Sequence, residues 1–533
     1  MKIPGFPRRA IPALLLPLLL TGCTSGTASH PAAAGTSPAG TVSASPVDPA
    51  LNTFYGQRIG WAPCPADTAD QGAAPGTLQC GKLRVPLDYT HPAGDTLDLA
   101  LIREPAADPA NRISSLVVNP GGPGESGVSF VRDARKQFEG ALHDRFDIVG
   151  FDPRGTGDSS PVHCLSDQQR DTLGQQDAPA DPQARKAQRD QQGKQYAAAC
   201  TANSGKELPF VGTRDSARDM DVLRQALGDA RLNYLGISYG TYLGSLYAEQ
   251  FPGRTGRLVL DGAVDPAADR LDSDVQQQIG FEKSLERFVA DCVANHPGEC
   301  PLGTDPAKAG QKAADFLDGL RDHPLPTTDG RKLGSDLGWT GTLFFLYGDE
   351  TTSWKELRAS LAQAIRSGRG DYLLAAADSY NGRDKSGHYN ASDDAHTAIG
   401  CADGAAPAPS ADRVQQLLGQ LKSQAPLLNG DTTAEDLAEP GCANWPVQSP
   451  ETPHTIRAEG SAPILVIGTT GDPATPYAAA QNLAKGFANA TLLTREGEGH
   501  AAFGSGNTCI DQALDAYLTA GTMPAAGTTC AKS

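Results

Sequence analysis

Residues 232–252 read LNYLGISYGTYLGSLYAEQFP, and they place one serine, Ser238, in a turn flanked by glycines on both sides. The apolar run Asn233–Ile237 predicts a short buried strand, and apolar residues at three- and four-residue spacing predict a helix over Tyr239–Gln250. Pro252 prevents this helix from continuing. A strand, a tight glycine turn that carries a serine, and a helix are typical of a nucleophile elbow, which lifts the hydroxyl clear of its strand. Ser238 is therefore the candidate nucleophile, and the alternative is an ordinary serine in a glycine-rich chain.

The elbow belongs to a longer series of predicted strands. LRVPLDY and TLDLALIRE, just after residue 78, predict an opening antiparallel pair. ISSLVVNPGG and FDIVGFDPRG are continuous apolar runs that end in glycine loops, as is typical of strands buried on both faces of a parallel sheet. RLVLDG (257–262) continues the series, and helical patterns lie between the strands. The fold class is therefore α/β, with a mostly parallel, doubly wound sheet.

The strand pattern stops between residues 265 and 455, where the sequence predicts amphipathic helices and loops. It resumes with PILVIG (463–468) and ATLLTREG (490–497), and a closing helix is predicted near 509–519. Two late strands are too few for a separate sheet, so we prefer one interrupted domain to two consecutive domains. The predicted units are a sheet domain in two parts, 51–264 and 456–533, and a helical insertion, 265–455.

The N-terminus has the pattern of an export signal. Three basic residues precede the short apolar stretch Ala10–Leu20, and LTGC (20–23) resembles a bacterial lipobox. We predict a lipoprotein-type signal peptide over 1–22, lipid attached to Cys23 as the only membrane anchor, and a disordered linker over 23–50. The alternative is a plain secretory signal that is cleaved nearby. Either way the protein is predicted to be exported, on the bacterial cell surface or secreted.

Charge and cysteine content narrow the class of protein. The formal net charge is −17, and no run of Lys and Arg exists that could bind nucleic acid. Apart from Cys23 there are ten cysteines, an even number that favours disulfides in an exported chain. No CxxC pair points to zinc, so no metal is expected. Sequential pairing is the predicted connectivity: Cys64 with Cys80, Cys164 with Cys200, Cys292 with Cys300, Cys401 with Cys442, and Cys509 with Cys530.

A serine hydroxyl needs a base within hydrogen-bond reach, and that base needs an orienting acid. In doubly wound hydrolases the chain order is Ser, acid, His. Asp472 follows PILVIG and His500 follows ATLLTREG, so both are predicted at the carboxyl ends of strands, where catalytic groups gather. Asp261, at the end of RLVLDG, is the alternative acid. Asp472 is favoured because Gly471 and Pro473 shape a tight loop around it.

Acyl transfer also needs donors for the oxyanion, and the loop NPGGPGESG (119–127) follows an early strand. Its glycines allow backbone N–H groups to approach a substrate without a Cβ in the way. The predicted donors are the N–H of Tyr239 and that of either Gly121 or Gly122. The alternative is an ordinary Gly/Pro turn.

Together, NPGGPGESG, FDPRGTGDS, LGISYGTYLGSLYAEQFP, VLDGAVDP, GTTGDPATPYAAAQNLA and GEGH resemble the secreted tripeptidyl aminopeptidase group of α/β-hydrolases, relatives of prolyl iminopeptidases. The resemblance covers residues 55 to 530. It implies the α/β-hydrolase fold, a helical cap formed by the insertion, and a serine exopeptidase that releases short peptides from free N-termini without a cofactor. Its motifs assign the catalytic roles to Ser238, Asp472 and His500. Glu125 departs from it, because a small residue is expected there.

An aminopeptidase must hold the substrate ammonium, which is costly to desolvate without a carboxylate. The candidates are Glu125, Asp349, Glu350 and Asp403. One alternative is a carboxylesterase with the same triad, and another is a surface binding lipoprotein that has lost catalysis. The oligomeric state and the physiological peptide substrate stay open.

Overall fold

A computed structural model describes residues 49–65, 77–404, 408–438, 442–447, 449 and 451–532. The predicted signal peptide, Cys23 and nearly all of the predicted linker lie outside these residues. Among the described helices, none is long and apolar enough to cross a membrane.

Ten strands form one sheet in the order β1-β2-β3-β5-β4-β6-β7-β10-β11-β12, and β8 and β9 form a separate hairpin. The strands are β1 Ala62–Pro63, β2 Gln79–Pro86, β3 Thr96–Glu104, β4 Ser114–Asn119, β5 Phe146–Phe151, β6 Leu232–Ile237, β7 Thr255–Asp261, β8 Leu325–Pro326, β9 Lys332–Leu333, β10 Ile464–Gly471, β11 Ala490–Glu498 and β12 Thr529–Cys530. In the ten-stranded sheet the pairs β1–β2, β2–β3 and β3–β5 are antiparallel. The remaining pairs, from β5–β4 along the sheet to β11–β12, are parallel.

The helices are α1 Asn52–Tyr55, α2 Gly127–Asp133, α3 Ala141–Arg145, α4 Asp167–Gly174, α5 Pro182–Ser204, α6 Thr213–Leu227, α7 Tyr239–Gln250, α8 Arg270–Asn295, α9 Pro306–Gly319, α10 Ser335–Leu346, α11 Ser353–Ser367, α12 Asp371–Asn381, α13 Ser392–Asp403, α14 Ala411–Gln424, α15 Ala434–Ala438, α16 Tyr477–Gly486 and α17 Thr508–Ala520. Short 3-10 turns occur at Pro49–Leu51, Pro109–Asn111, Arg135–Gln137, Leu208–Phe210 and Pro252–Arg254.

The central strands are apolar on both faces because helices cover both faces. Successive side chains of a strand point to opposite sides, so Val117 of β4 packs in one apolar cluster and Val118 in the other. Leu243 of α7 lies in the first cluster, while Val131 of α2 and Leu514 of α17 lie in the second. This arrangement confirms the predicted mostly parallel, doubly wound sheet.

The chain between β7 and β10 holds the helices α8 to α15 and the small β8–β9 hairpin. It has an apolar cluster of its own, which includes Phe288, Leu361 and Leu373. β10 nevertheless pairs with β7 in the sheet, so the strands before and after this insertion belong to one sheet.

Helices α4 and α5 precede the elbow in sequence but contact the insertion. Arg383 donates to the carboxylate of Asp171 in α4 at 2.8 and 3.1 Å. Arg185 of α5 donates to Asp436 of α15 at 3.2 and 2.9 Å. This stretch belongs to the predicted first part of the sheet domain, 51–264, and these ion pairs link it to the insertion as well.

Five disulfides join the ten cysteines in the sequential pairs predicted above: Cys64–Cys80, Cys164–Cys200, Cys292–Cys300, Cys401–Cys442 and Cys509–Cys530. Two of these bridges lie inside the insertion, and none connects the insertion to a strand of the sheet. Each bridge closes a short loop and so stabilises its own region.

Candidate active site

Ser238 occupies the turn between β6 and α7. Its backbone has φ 57° and ψ −126°, a conformation that L-residues rarely adopt, and the residue is buried. The N–H of Ser238 donates to the carbonyl oxygen of Asp261 at 2.9 Å, which ties the turn to the end of β7. A strained turn between a strand and a helix is the geometry of a nucleophile elbow.

The glycine loop after β4 approaches this elbow closely. Gly121 has φ 98°, and a Cβ at this position would lie 2.5 Å from the Ile237 carbonyl oxygen and 3.0 Å from the Ser238 Cβ. Only glycine therefore fits. The N–H of Gly121 donates to the Asn119 side chain at 3.0 Å. The N–H of Tyr239, the first residue of α7, has no acceptor within its own helix and lies beside the same loop.

His500 and Asp472 form a buried pair. The imidazole Nδ1 lies 2.9 Å from both carboxylate oxygens, and the two side chains are 4% and 0% exposed. Nε2 of His500 is buried and has no hydrogen-bond partner among the described residues. The ring Cε1 lies 3.0 Å from the position that a Cβ would take at Gly262. Gly262 directly follows Asp261, whose carbonyl oxygen accepts the N–H of Ser238. The structure thus brings the predicted base and acid together beside the elbow.

Asp472 accepts further hydrogen bonds from its own loop and from the loop of His500. The N–H groups of Ala474 and Thr475 donate at 2.9 Å each, and that of Ala501 donates at 3.1 Å. The Thr475 hydroxyl also donates at 2.9 Å and lies 3.2 Å from His500 Nδ1. Sequence reasoning missed Thr475, although a hydroxyl three residues after a candidate acid is a usable signal.

Asp261, the alternative acid, makes no hydrogen bond to the imidazole. Its carboxylate accepts hydrogen bonds from the N–H groups of Ala502 and Phe503, at 2.9 and 2.6 Å. Burial raises the pKa of Asp261 to about 6, although these hydrogen bonds act in the opposite direction. Asp472, not Asp261, is therefore placed to orient His500.

Tyr347, directly after α10 in the insertion, covers the histidine. Its carbonyl oxygen accepts the backbone N–H of His500 at 2.8 Å, and the two rings meet edge to face at 6.0 Å. Tyr380 packs next to Tyr347 at 6.0 Å and is 36% exposed. Burial keeps the pKa of Tyr347 well above its ordinary value, so its hydroxyl stays protonated. The sequence carried no signal for either tyrosine.

The candidate acids Asp349, Glu350 and Asp403 lie in the insertion and bind groups of this chain. Asp349 accepts the N–H groups of Thr351 and Thr352, at 2.7 and 2.9 Å, at the start of α11. Glu350 pairs with Lys532 at 2.6 Å. Asp403 accepts the N–H of Thr213 at 2.6 Å. Burial raises the pKa of Asp403 to about 7.

Glu125, the fourth candidate, is half-buried on the glycine loop. Next to it, Gly124 lies so close to α13 that a Cβ there would be 2.4 Å from the Ser392 carbonyl oxygen. Burial raises the pKa of Tyr380, and the charges of Asp393 and Glu125 add to this rise. Glu125 and Asp393 are therefore close enough to Tyr380 for their charges to act on its hydroxyl, and sequence reasoning missed Asp393.

Comparison with known proteins gives the family. Residues 425–530 match the family described as TAP-like protein. The chain is 41% identical to serine protease Hip1 of Mycobacterium tuberculosis over 489 residues, which is 89% of this chain and 91% of that protein. It is 37% identical to carboxylesterase B of the same species, with 85% and 86% covered. It is 32% identical to the tripeptidyl aminopeptidase of Streptomyces lividans, with 89% and 86% covered. The chain belongs to the tripeptidyl aminopeptidase-like family of α/β-hydrolases.

Membership of the tripeptidyl aminopeptidase-like family confirms the resemblance stated from the sequence motifs. The chain is therefore a serine hydrolase, of the peptidase type by family, with the α/β-hydrolase fold. The names of the relatives include both peptidases and a carboxylesterase, so the substrate has to be argued from the site itself.

Proposed function

We propose that this protein is an exported serine aminopeptidase that releases short peptides, with tripeptides as the expected product, from free N-termini. The observation that carries the proposal is the buried Asp472–His500 pair beside the Ser238 elbow, covered by Tyr347 of the helical insertion. A covered serine site of this kind suits the end of a peptide, because the cover limits how far the chain extends past the scissile bond.

In the proposed mechanism His500 takes the proton of Ser238 through Nε2, and the serine oxygen attacks the scissile carbonyl. The buried Nε2 without a partner in the described structure supports this role. Asp472 holds the imidazole tautomer through Nδ1 and stabilises the imidazolium. His500 then protonates the leaving amine, and water resolves the acyl-enzyme.

The proposed oxyanion donors are the N–H groups of Tyr239 and Gly122. The N–H of Gly121 already donates to Asn119, so Gly122 is the better of the two glycine candidates. Two backbone donors beside a nucleophile stabilise the negative charge that develops on the carbonyl oxygen.

We assign the substrate ammonium to Glu125. It shares the glycine loop with the proposed oxyanion donor, and it lies near Tyr380 at the exposed edge of the covered site. Of the other candidates, Asp349 and Glu350 lie between α10 and α11, and Asp403 ends α13, so none of them shares the loop of the proposed oxyanion donor. Asp393 adds negative charge at the same edge and would favour a cationic N-terminus.

Export is part of the proposal. Five disulfides are typical of proteins that fold in an oxidising compartment. The signal pattern at the N-terminus and the lipobox cysteine Cys23 support a lipid-anchored form.

Carboxylesterase activity is the second candidate, because carboxylesterase B is 37% identical to this chain. Both activities use the same nucleophile and base. They differ in the leaving group and in the need for a substrate ammonium.

The test is a panel of aminoacyl-, dipeptidyl- and tripeptidyl-p-nitroanilides beside short acyl p-nitrophenyl esters. We expect the highest kcat/KM among the amides for a tripeptidyl substrate with a free amine. Hydrolysis of the esters alone would replace the peptidase proposal with the esterase.

A further inference from the structure

Asp261 is a fully buried carboxylate in contact with the loop of the proposed base. Oδ1 and Oδ2 both accept the N–H of Ala502, at 3.0 and 2.9 Å, and Oδ2 also accepts the N–H of Phe503 at 2.6 Å. A buried carboxylate is costly unless hydrogen bonds compensate for the lost water, and here the donors are the backbone of the histidine loop.

Every backbone N–H from residue 500 to 503 has a defined acceptor. That of His500 donates to the Tyr347 carbonyl oxygen, and that of Ala501 donates to Asp472. Those of Ala502 and Phe503 donate to Asp261. Ala501 has φ 66°, so this loop is held in a conformation that the residue rarely adopts. External acceptors, and not local helix or strand bonding, determine its shape.

The backbone of Asp261 also contacts the proposed nucleophile. Its carbonyl oxygen accepts the N–H of Ser238 at 2.9 Å. In the sheet Asp261 is in register with Ile237, the residue before the nucleophile, and with Ile467 of β10. One residue therefore bonds the elbow through its main chain and the histidine loop through its side chain.

We propose that Asp261 is a positioning residue that holds the His500 loop in register with the Ser238 elbow. This inference rests on the proposed function, since it assumes that Ser238 and His500 react together. Asp261 acts through the backbone of the loop, because His500 Nδ1 is already bonded by Asp472 and Thr475. Loss of its hydrogen bonds frees the loop to move, and a small misplacement of a base is costly in rate.

The experiment compares Asp261→Asn with the wild-type enzyme on a tripeptidyl-p-nitroanilide and on a p-nitrophenyl ester. Asn keeps the size of the side chain, but its NH2 group is a donor and replaces one of the two oxygens that accept the N–H groups of Ala502 and Phe503. Two donors that face each other form no hydrogen bond. We expect kcat on the anilide to fall about 10- to 100-fold with KM within about twofold. We expect a smaller loss on the ester, because its leaving group needs no proton from His500. Circular dichroism checks that the variant is folded at the assay temperature, so that the loss of kcat is not a loss of folded protein.

The matched control is Asp147→Asn. Asp147 is also a buried carboxylate that accepts a backbone N–H, from Ala106 at 2.9 Å, but it lies at the amino end of β5, the opposite edge of the sheet. Its kcat should stay within about twofold of wild type.

Each result decides between the two proposals. An Asp261→Asn enzyme with wild-type kcat, or with a change in KM alone, overturns the positioning role while the proposed function stands. A Ser238→Ala enzyme that turns over normally overturns the proposed function itself. Should Asp261→Asn fail to fold, Asp261→Ser is measured in the same way. If neither variant yields folded protein, Asp261 has a structural role and the positioning assignment is wrong.

Discussion

The backbone N–H of His500 donates a 2.8 Å hydrogen bond to the carbonyl oxygen of Tyr347. The proposed base lies in the sheet domain, after β11, and its acceptor lies in the helical insertion. The imidazole ring also meets the Tyr347 ring edge to face. The insertion therefore does more than cover the site, because it helps to define where the histidine sits.

This contact predicts different results for two substitutions at Tyr347. Tyr347→Phe keeps the ring and the carbonyl oxygen, so kcat should stay within about twofold. Tyr347→Ala removes the ring that packs on His500 and on Phe281, and we expect kcat to fall about tenfold. Steady-state kinetics on the tripeptidyl anilide give both values, and equal activity of the two variants would show that the ring plays no part.

Ser238→Ala should abolish turnover and leave the fold intact. The side chain removed is a single hydroxyl at a turn, so the free energy of unfolding should change by about 1 kcal/mol or less. Turnover is measured on the purified variant, and circular dichroism with chemical denaturation checks the fold. Activity near the wild-type level would show that another group is the nucleophile.

Asp472→Asn should cost far more activity than Asp261→Asn. Asn at 472 stabilises the wrong imidazole tautomer, and the expected loss in kcat is on the order of 10⁴. The loss for Asp261→Asn is expected to be about 10- to 100-fold, since Asp261 contacts only the backbone of the loop. The ratio of the two kcat values on one substrate is the measurement. The opposite order would return the acid role to the end of β7.

N-acetylation of a good tripeptidyl substrate should lower kcat/KM by about 10²-fold, because it removes the charge that Glu125 is proposed to bind. Glu125→Gln should lose activity on the free amine and hydrolyse both substrates at similar, low rates. Glu350→Gln is the control, since Glu350 lies between α10 and α11, away from the glycine loop, and should retain the preference. If the wild-type enzyme cleaves the acetylated substrate equally well, the aminopeptidase proposal is wrong.

Stability should depend on pH through Asp261. Burial raises its pKa in the folded protein to about 6, above its ordinary value of 3.8. The folded state therefore holds this proton more tightly, and the stability that protonation contributes is lost as the pH rises through about 6. The Asn side chain of Asp261→Asn does not titrate. The unfolding free energy of the variant minus that of the wild type should therefore increase by on the order of 1–3 kcal/mol between about pH 4 and pH 7.

Chemical denaturation of both proteins at several pH values measures this gain. The informative quantity is the difference in unfolding free energy, variant minus wild type, because other titrating groups cancel in it. A difference that is flat or falls with pH would contradict a raised pKa at this position.

Local pattern was sufficient for much of the fold. The apolar runs around Ser238 predict β6 and α7 because burial on both faces and helical spacing leave direct traces in the sequence. The order of Ser238, Asp472 and His500 along the chain, each after a strand, predicts that they meet, because parallel strands end at one edge of a sheet. Sequential cysteine pairing agreed with the structure because short loops bring neighbouring cysteines together.

Contacts between distant segments were decided only by the tertiary structure. Whether Asp472 or Asp261 reaches the imidazole depends on how the histidine loop crosses two strand ends, and neither local sequence encodes that path. The polar helices α4 and α5 contact the insertion through ion pairs such as Asp171–Arg383. Ion pairs of this kind leave no apolar periodicity in the sequence. Tyr347 reaches His500 across 153 positions of the chain, through a carbonyl oxygen that every residue type possesses. Sequence therefore determined the secondary-structure elements and the chemical groups that they carry. The packing of remote backbone and charged groups determined which of those groups lie together, because such contacts depend on three-dimensional proximity and leave no periodic pattern.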